Sequence, residues 1–335
     1  MKKLRIIVLG LGNFGHSWAC EVLPQLVDLV ELVAVVDRNE ETFVGITDSI
    51  PKFKRLQEAI DQTMPDAVIN VTPPQLHTSI NKNLLSQNIA VLCEKPISDT
   101  LADAQEMSDF VIKHPALFMI SENYRYKTVF RKCRQWIESG KIGKIHSIQC
   151  HFAHFHADYS MYYHGNLKHP LLTDVTVHHL DLARFLSGAE AEKIYCKEWS
   201  APYSWYQERP ANAMIWTDMT SGIHFQYSGS LASPVSTTDW YGNWEIEGNK
   251  GTIRLNGEQL TCELENESEI ECITVPSDVE DTRVNVLKEF VNAFWENRPG
   301  ETNIDDNFKT FLWLEAAIAS SEQEKVIQMK YFKEL

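Results

Sequence analysis

The stretch that most limits the fold is Arg5–Gly15, RIIVLGLGNFG. An apolar, β-branched run stops at Gly10, and Gly10, Gly12 and Gly15 then fall at the spacing GxGxxG. A strand buried on both faces needs an unbroken apolar run of this kind. Glycines at that spacing permit a tight turn, close approach of an anionic group to the backbone, and close packing of the next helix on the strand. The pattern predicts strand, turn and helix, with the helix N-terminus turned toward a diphosphate.

Comparable runs recur at Leu32–Val36, Ala67–Val71, Ile89–Cys93 and Leu117–Ile120. Helix-length segments separate them, at 13–23, 40–49, 56–63, 75–87 and 100–113. Strict alternation predicts βαβ units and an α/β Rossmann fold, a doubly wound parallel sheet. After residue 122 the rhythm changes. A helix is expected over 128–139, with Gly140 just beyond it, then strands at 144–155, 191–200, 211–218, 222–231, 241–247 and 251–255. Helices return at 174–187, 283–297 and 305–322. This second part reads as an α+β domain with a large, mostly antiparallel open sheet. A chain of 335 residues suits two domains, expected at 1–122 and 123–335.

Composition narrows the partners. A formal net charge of −15 argues against nucleic acid or an anionic membrane surface. No run approaches the ~20 apolar residues of a membrane span. After Lys2, Lys3 and Arg5 the first apolar run is only Ile6–Leu9, too short for a secretion signal. The seven cysteines are scattered without a CxxC pair, so neither a zinc ribbon nor a disulfide framework is expected, and the setting reads as reducing and cytoplasmic.

Asp37 closes the run Leu32–Val36. A carboxylate at that point accepts hydrogen bonds from ribose hydroxyls and repels a 2′-phosphate, which favours NAD; Arg38 beside it leaves NADP open. Asn13 and Phe14, between the glycines, are expected at the same cofactor. So are Thr72, Pro73, Pro74 and His77 of NVTPPQLH, Glu94 and Lys95 of CEKPI, and Asn123 of SENYRY, all following apolar runs. In an open α/β sheet, ligands sit beyond the carboxyl ends of the strands. Lys95 there can also hydrogen-bond a substrate hydroxyl or pass its proton.

Residues 174–181 read DVTVHHLD. On a regular helix Asp174, His178 and Asp181 share one stripe, and His179 is turned ~100° away. The stripe has three readings: metal ligands, a structural cluster, or acid/base chemistry. No HExxH spacing or distant Cys/His pair completes a metal cage, so no metal is expected. Acid/base work matches the nucleotide cradle, because a hydride leaves a carbinol carbon only as the hydroxyl proton departs. His178 is the candidate base, with Asp174 orienting it, and Lys95 the partner at the same oxygen. Which of His178 and Lys95 takes the proton stays open, and Asp181 reads equally well as structural.

Substrate contacts are expected from Tyr124 and Arg125, from His154 and His156 on one face of CHFAHFH, and from Tyr163 in an aromatic polar loop at 156–170. Arg125 reads as well as an interdomain salt bridge. Trp199, Trp205, Trp216, Trp240 and Trp244 suit an interface or a core.

Taken in order, GLGNFG, VDRN, NVTPPQLH, CEKPIS, GKIGKIHSI, DVTVHHLDLARFLSG and WEIEGNKGTIRL resemble the glucose–fructose oxidoreductase/inositol dehydrogenase (Gfo/Idh/MocA) family. The resemblance implies a Rossmann domain followed by an α+β domain whose open sheet forms oligomer contacts, here a homodimer or homotetramer. It implies NAD(P)-dependent hydride transfer to or from a hydroxyl of a sugar, sugar derivative or cyclitol, a small-molecule polyol. The family's motif lysine falls on Lys95, and its aspartate and histidine on Asp174 and His178. Two further branches stay open: a non-catalytic NAD(P)-binding regulator of a sugar pathway, and an NAD-using glycosidase.

Overall fold

The structure, a computed structural model, describes residues 2–155, 163–266, 270–275 and 281–332, with backbone alone at 163–164. Its first sheet uses β1 (Leu4–Leu9), β2 (Val30–Val36), β3 (Lys52–Phe53), β4 (Ala67–Asn70), β5 (Ala90–Cys93) and β6 (Phe118–Ile120), in the order β3-β2-β1-β4-β5-β6. All pairs are parallel, and the order reverses between β1 and β4, where such sheets bind ligands. β4 and β5 are buried along their whole length, which is why their sequences AVIN and AVLC show no polar alternation. The helices between are α1 (Asn13–Ser17), α2 (Leu56–Thr63), α3 (His77–Ser86) and α4 (Leu101–Val111).

Two expectations fail here. The helix at 13–23 is α-helical only to Ser17, then continues as a π-helical turn at Trp18–Val22 and a 3₁₀ turn at Leu23–Leu26. The segment 40–49 holds a single 3₁₀ turn, Glu40–Phe43. Val44 is extended there and Gly45 adopts φ +89°, so a longer helix cannot form before Pro51 leads into β3.

The second sheet uses β7 (Ile145–Ala153), β8 (Ala191–Ala201), β9 (Gln207–Met219), β10 (His224–Ser230), β11 (Asn243–Gly248), β12 (Gly251–Asn256), β13 (Gln259–Leu264), β14 (Glu271–Thr274) and β15 (Ile327–Gln328). Its order is β14-β13-β12-β11-β7-β10-β9-β8-β15, antiparallel except for the β7–β10 pair. β13, β14 and β15 were not expected. They lie toward the sheet's ends, where charged side chains guard unpaired edges and blur the alternation. Along β10 burial alternates, so one face is packed and the other open. The packed face meets α5 (Thr128–Glu138), α6 (Val177–Ser187) and the later part of α8 (Ile304–Gln323). Trp313 of α8 donates its indole N–H to Thr217 Oγ1 at 3.2 Å and meets Phe225 edge-on. Gly140 and Gly188 end α5 and α6 with φ +74° and +67°.

Compactness divides the chain into Met1–Asn123 with Glu280–Phe308, and Tyr124–Val279 with Lys309–Leu335. The single division at 122/123 therefore needs correcting. The segment carrying α7 (Thr282–Glu296) returns to the first unit, where the Thr302 side-chain hydroxyl donates to Ile120 O and Ile120 N donates to Thr302 O at 2.9 Å. All seven cysteines are free, five of them buried. No helix among the described residues is long and apolar enough to cross a membrane.

Candidate active site

The three glycines of the β1–α1 turn do different work. Gly10 has φ +88°, and a Cβ there would lie 2.8 Å from Val71 O. A Cβ on Gly15 would lie 1.8 Å from Gly10 O, so the helix can sit this close to the turn only if that residue is glycine. At Gly12 an added Cβ meets nothing within 4 Å. The first and third glycines are thus closed by the protein, while the second faces open space, as a cradle for a diphosphate requires. Asp37 stands beside it: Leu11 N donates to Oδ2 at 2.6 Å and Asn39 N to Oδ1 at 2.8 Å. Each carboxylate oxygen keeps a second lone pair for a ribose hydroxyl. Arg38 is exposed next to it. These residues fit a bound dinucleotide.

The loops after β4 and β5 are tied to each other. Asn70, fully buried at the end of β4, accepts from Thr72 N at 3.2 Å and Thr72 Oγ1 at 2.7 Å, and donates to Asn81 at 2.8 Å. Asn70 was not singled out from the sequence, although a polar residue closing an otherwise apolar strand is a visible signal. His77 is also fully buried, 2.7 Å from Thr72 O and 2.9 Å from Pro96 O. It was expected at the cofactor; instead it pins the Thr72-Pro73-Pro74 loop to the Lys95-Pro96 turn, which contains a cis peptide bond. Burial lowers its pKa against the two carbonyl contacts. Glu94 is likewise turned inward, accepting Trp18 Nε1–H at 2.8 Å and Lys95 N–H at 3.2 Å. Lys95 is half-buried at the carboxyl end of β5. Asn123 donates to Thr282 Oγ1 at 2.7 Å, so its amide is already engaged at the start of α7.

In the second unit, the helix of DVTVHHLD is not regular. Leu172–Thr176 is π-helical and α6 begins at Val177, so Asp174 sits on a wider turn than His178 and Asp181. The regular i, i+4, i+7 stripe is thereby corrected. Asp174 is half-buried and His178 is 5% exposed. The ring of Tyr124 stacks on His178, centroids 4.3 Å apart at 19°. Asp181 is structural: it accepts a two-pronged contact from Arg125, with Nε–Oδ2 at 2.8 Å, and a hydroxyl from Thr310 at 3.2 Å. Arg125 is 4% exposed, so the expected substrate contact gives way to a buried ion pair within this unit.

His179 is separated from His178 in both direction and chemistry. It is fully buried, with Nε2 3.0 Å from Trp240 O and Nδ1 3.3 Å from Tyr227 Oη. Burial pushes its pKa down to about 3, so it stays neutral and holds the Trp240 backbone. His154 packs its ring 4.3 Å from Trp240, and burial lowers its pKa. Trp244 is core, whereas Trp199 and Trp216 are exposed on the sheet. His156 and the side chain of Tyr163 lie outside the described residues. Among the described residues, no group of three or more His, Cys, Asp or Glu side chains is placed to hold a metal ion.

Comparison with known proteins places both domains in one family. Residues 4–122 match the oxidoreductase family with an NAD-binding Rossmann fold, GFO_IDH_MocA, and residues 130–254 match the GFO/IDH/MocA C-terminal domain. The chain belongs to the GFO/IDH/MocA oxidoreductase family. It is 28% identical over 198 residues to a myo-inositol 2-dehydrogenase of Thermotoga maritima, covering 57% of each chain. It is 22% identical over 351 aligned positions to a D-apiose dehydrogenase of Paraburkholderia graminis, covering 98% of this chain and 91% of that one. Among solved structures, an oxidoreductase from Agrobacterium radiobacter in complex with NAD+, L-tartaric acid and magnesium superposes with TM-score 0.88 at 20% identity, covering 98% of this chain and 99% of the other. The chain is an NAD(P)-dependent oxidoreductase of this family, and its first domain, residues 4–122, is an NAD-binding Rossmann domain.

Proposed function

We propose that this protein is an NAD-dependent dehydrogenase of a secondary hydroxyl on a sugar, sugar derivative or cyclitol. The observation that carries the reading is the cradle in which Gly10 and Gly15 are closed, Gly12 is open and Asp37 stands alongside. Asp37 supports NAD over NADP, because a carboxylate repels a 2′-phosphate. A bound dinucleotide supplies the hydride acceptor. Lys95 donates a hydrogen bond to the reacting oxygen and stabilises the developing alkoxide, and His178 accepts the hydroxyl proton with Asp174 as its orienting carboxylate. The two named relatives, a myo-inositol and a D-apiose dehydrogenase, support the substrate class.

The test is formation of NADH or NADPH with a panel of cyclitols, aldoses and sugar acids. NADH from a cyclic polyol, faster than NADPH, is the expected result. Faster turnover with NADP would overturn the role of Asp37. Aglycone release from a glycoside without net NADH would make the protein a glycosidase, and NAD binding with neither signal would make it a regulator.

Association through the open face of the second sheet is part of the proposal. Tyr195, Trp199, Met214 and Trp216 are 41%, 45%, 59% and 42% exposed on β8 and β9, a concentration of apolar surface that marks a contact. Light scattering should give a dimer or tetramer, and a monomer would refute it. A reducing, cytoplasmic setting is proposed with it, supported by the free state of every cysteine.

A further inference from the structure

The first turn of α7 brings a cation to the nucleotide cradle. Asp281 caps the helix by accepting Arg283 N–H at 2.9 Å, and the same carboxylate receives Arg283 Nε–H at 3.0 Å and Nη2–H at 2.5 Å. The Arg283 side chain is nine-tenths buried. Its Nη2 also donates to Ser17 Oγ at 2.6 Å, and its guanidinium carbon lies 5.3 Å from the ring centre of Phe14 and 5.4 Å from that of Trp18. Phe14 is the residue before Gly15 in the cradle. Trp18 in turn donates to Glu94, whose carboxylate accepts the Lys95 N–H. Asn123, at the end of β6, bonds Thr282 next door.

One atom of this arrangement is unsatisfied. Arg283 Nη1 is buried and makes no hydrogen bond. Leaving a charged donor buried without an acceptor is costly, and Ser17 and Asp281 already satisfy the requirements of a structural anchor. The glycine-rich stretch itself, Gly10–Ser17, contains no lysine or arginine to meet a diphosphate. Arginine matches phosphate oxygens better than any other side chain. Phe14, whose ring centre lies 5.3 Å from the guanidinium carbon, is 58% exposed, so the group beside the guanidinium on the cradle side is a surface side chain with room to turn.

We propose that Arg283 is a cofactor-binding residue, donating Nη1–H to an oxygen of the NAD diphosphate as Phe14 turns aside. It lies beyond both stretches matched by the family models, 4–122 and 130–254, so the assignment comes from its position against Phe14, Ser17 and Trp18. The proposal rests on NAD binding and is independent of the roles given to His178 and Lys95.

Isothermal titration of the full chain with NAD, ADP-ribose and AMP tests it. Wild-type NAD binding is the control for the cofactor reading; its failure would sink that reading and this one together. With wild-type binding in hand, Arg283→Met should weaken NAD and ADP-ribose roughly tenfold or more, and AMP, which lacks the diphosphate, less than twofold. Arg283→Lys, which keeps the charge, should recover part of the loss and keeps the test usable if the methionine variant folds poorly. Unchanged NAD affinity in both variants, or an equal loss for AMP, would overturn the proposal.

Discussion

Tyr124 lies nearly flat on His178, ring centres 4.3 Å apart and planes 19° apart. The sequence reading placed Tyr124 against substrate; in the structure it holds the candidate base. A stacked aromatic pair contributes about 0.5–1.5 kcal/mol beyond its buried area, equivalent to up to about tenfold in rate if spent on orientation. Tyr124→Phe should therefore keep turnover within about twofold, and Tyr124→Leu should lower kcat about tenfold without changing NAD affinity. Steady-state kinetics with titration of NAD checks both. A loss in Tyr124→Phe equal to that in Tyr124→Leu would instead point to the phenol hydroxyl.

The glycine cradle predicts opposite outcomes at neighbouring positions. Gly12→Ala places a methyl in open space, so thermal stability should change little while NAD binding falls sharply. Gly15→Ala drives a methyl to 1.8 Å from Gly10 O, so the turn must rearrange and the melting temperature should drop by several degrees. Thermal melts with and without NAD separate the two. A Gly12→Ala protein that binds NAD normally would show that the open space is not the diphosphate site.

The adjacent histidines should separate in acid. His179 titrates at about 3 in the folded protein against an ordinary 6.5. The unfolded chain therefore takes up a proton below about 6.5 that the folded protein refuses until about 3. The stability from burying a neutral imidazole is complete above 6.5 and is lost as pH falls through that window, where His77 and His154, also lowered, add to the slope. His179→Gln should start from a lower melting temperature and lose less of it between pH 7 and 4 than wild type. An unchanged acid slope would contradict the buried, neutral assignment.

Much of this arrangement was legible beforehand, and the failures have physical causes. The strand–helix alternation and GxGxxG specify the first sheet because strands buried on both faces leave continuous apolar runs. Short edge elements such as β3 and β14 leave no such trace, since two to four residues with charged neighbours carry too little pattern. His77, Glu94 and Arg125 were read as ligand contacts because they follow apolar runs, and ligands of an open α/β sheet sit beyond the carboxyl ends of its strands. Their partners, Pro96 O, Trp18 and Asp181, lie 19, 76 and 56 residues away, and no local pattern reveals such pairings. The π-helical turn under Asp174 was equally hidden, because the sequence LTDVT has no helix breaker to announce it.

The most direct measurement of the central claim is NADH absorbance after mixing NAD and a cyclic polyol with wild type, His178→Ala and Lys95→Ala, each first shown by titration to bind NAD. The account predicts steady NADH formation by wild type and a loss of at least about a hundredfold in kcat for each variant, the usual range for a lost acid/base group, with NAD affinity retained. A His178→Ala enzyme turning over at the wild-type rate would contradict it.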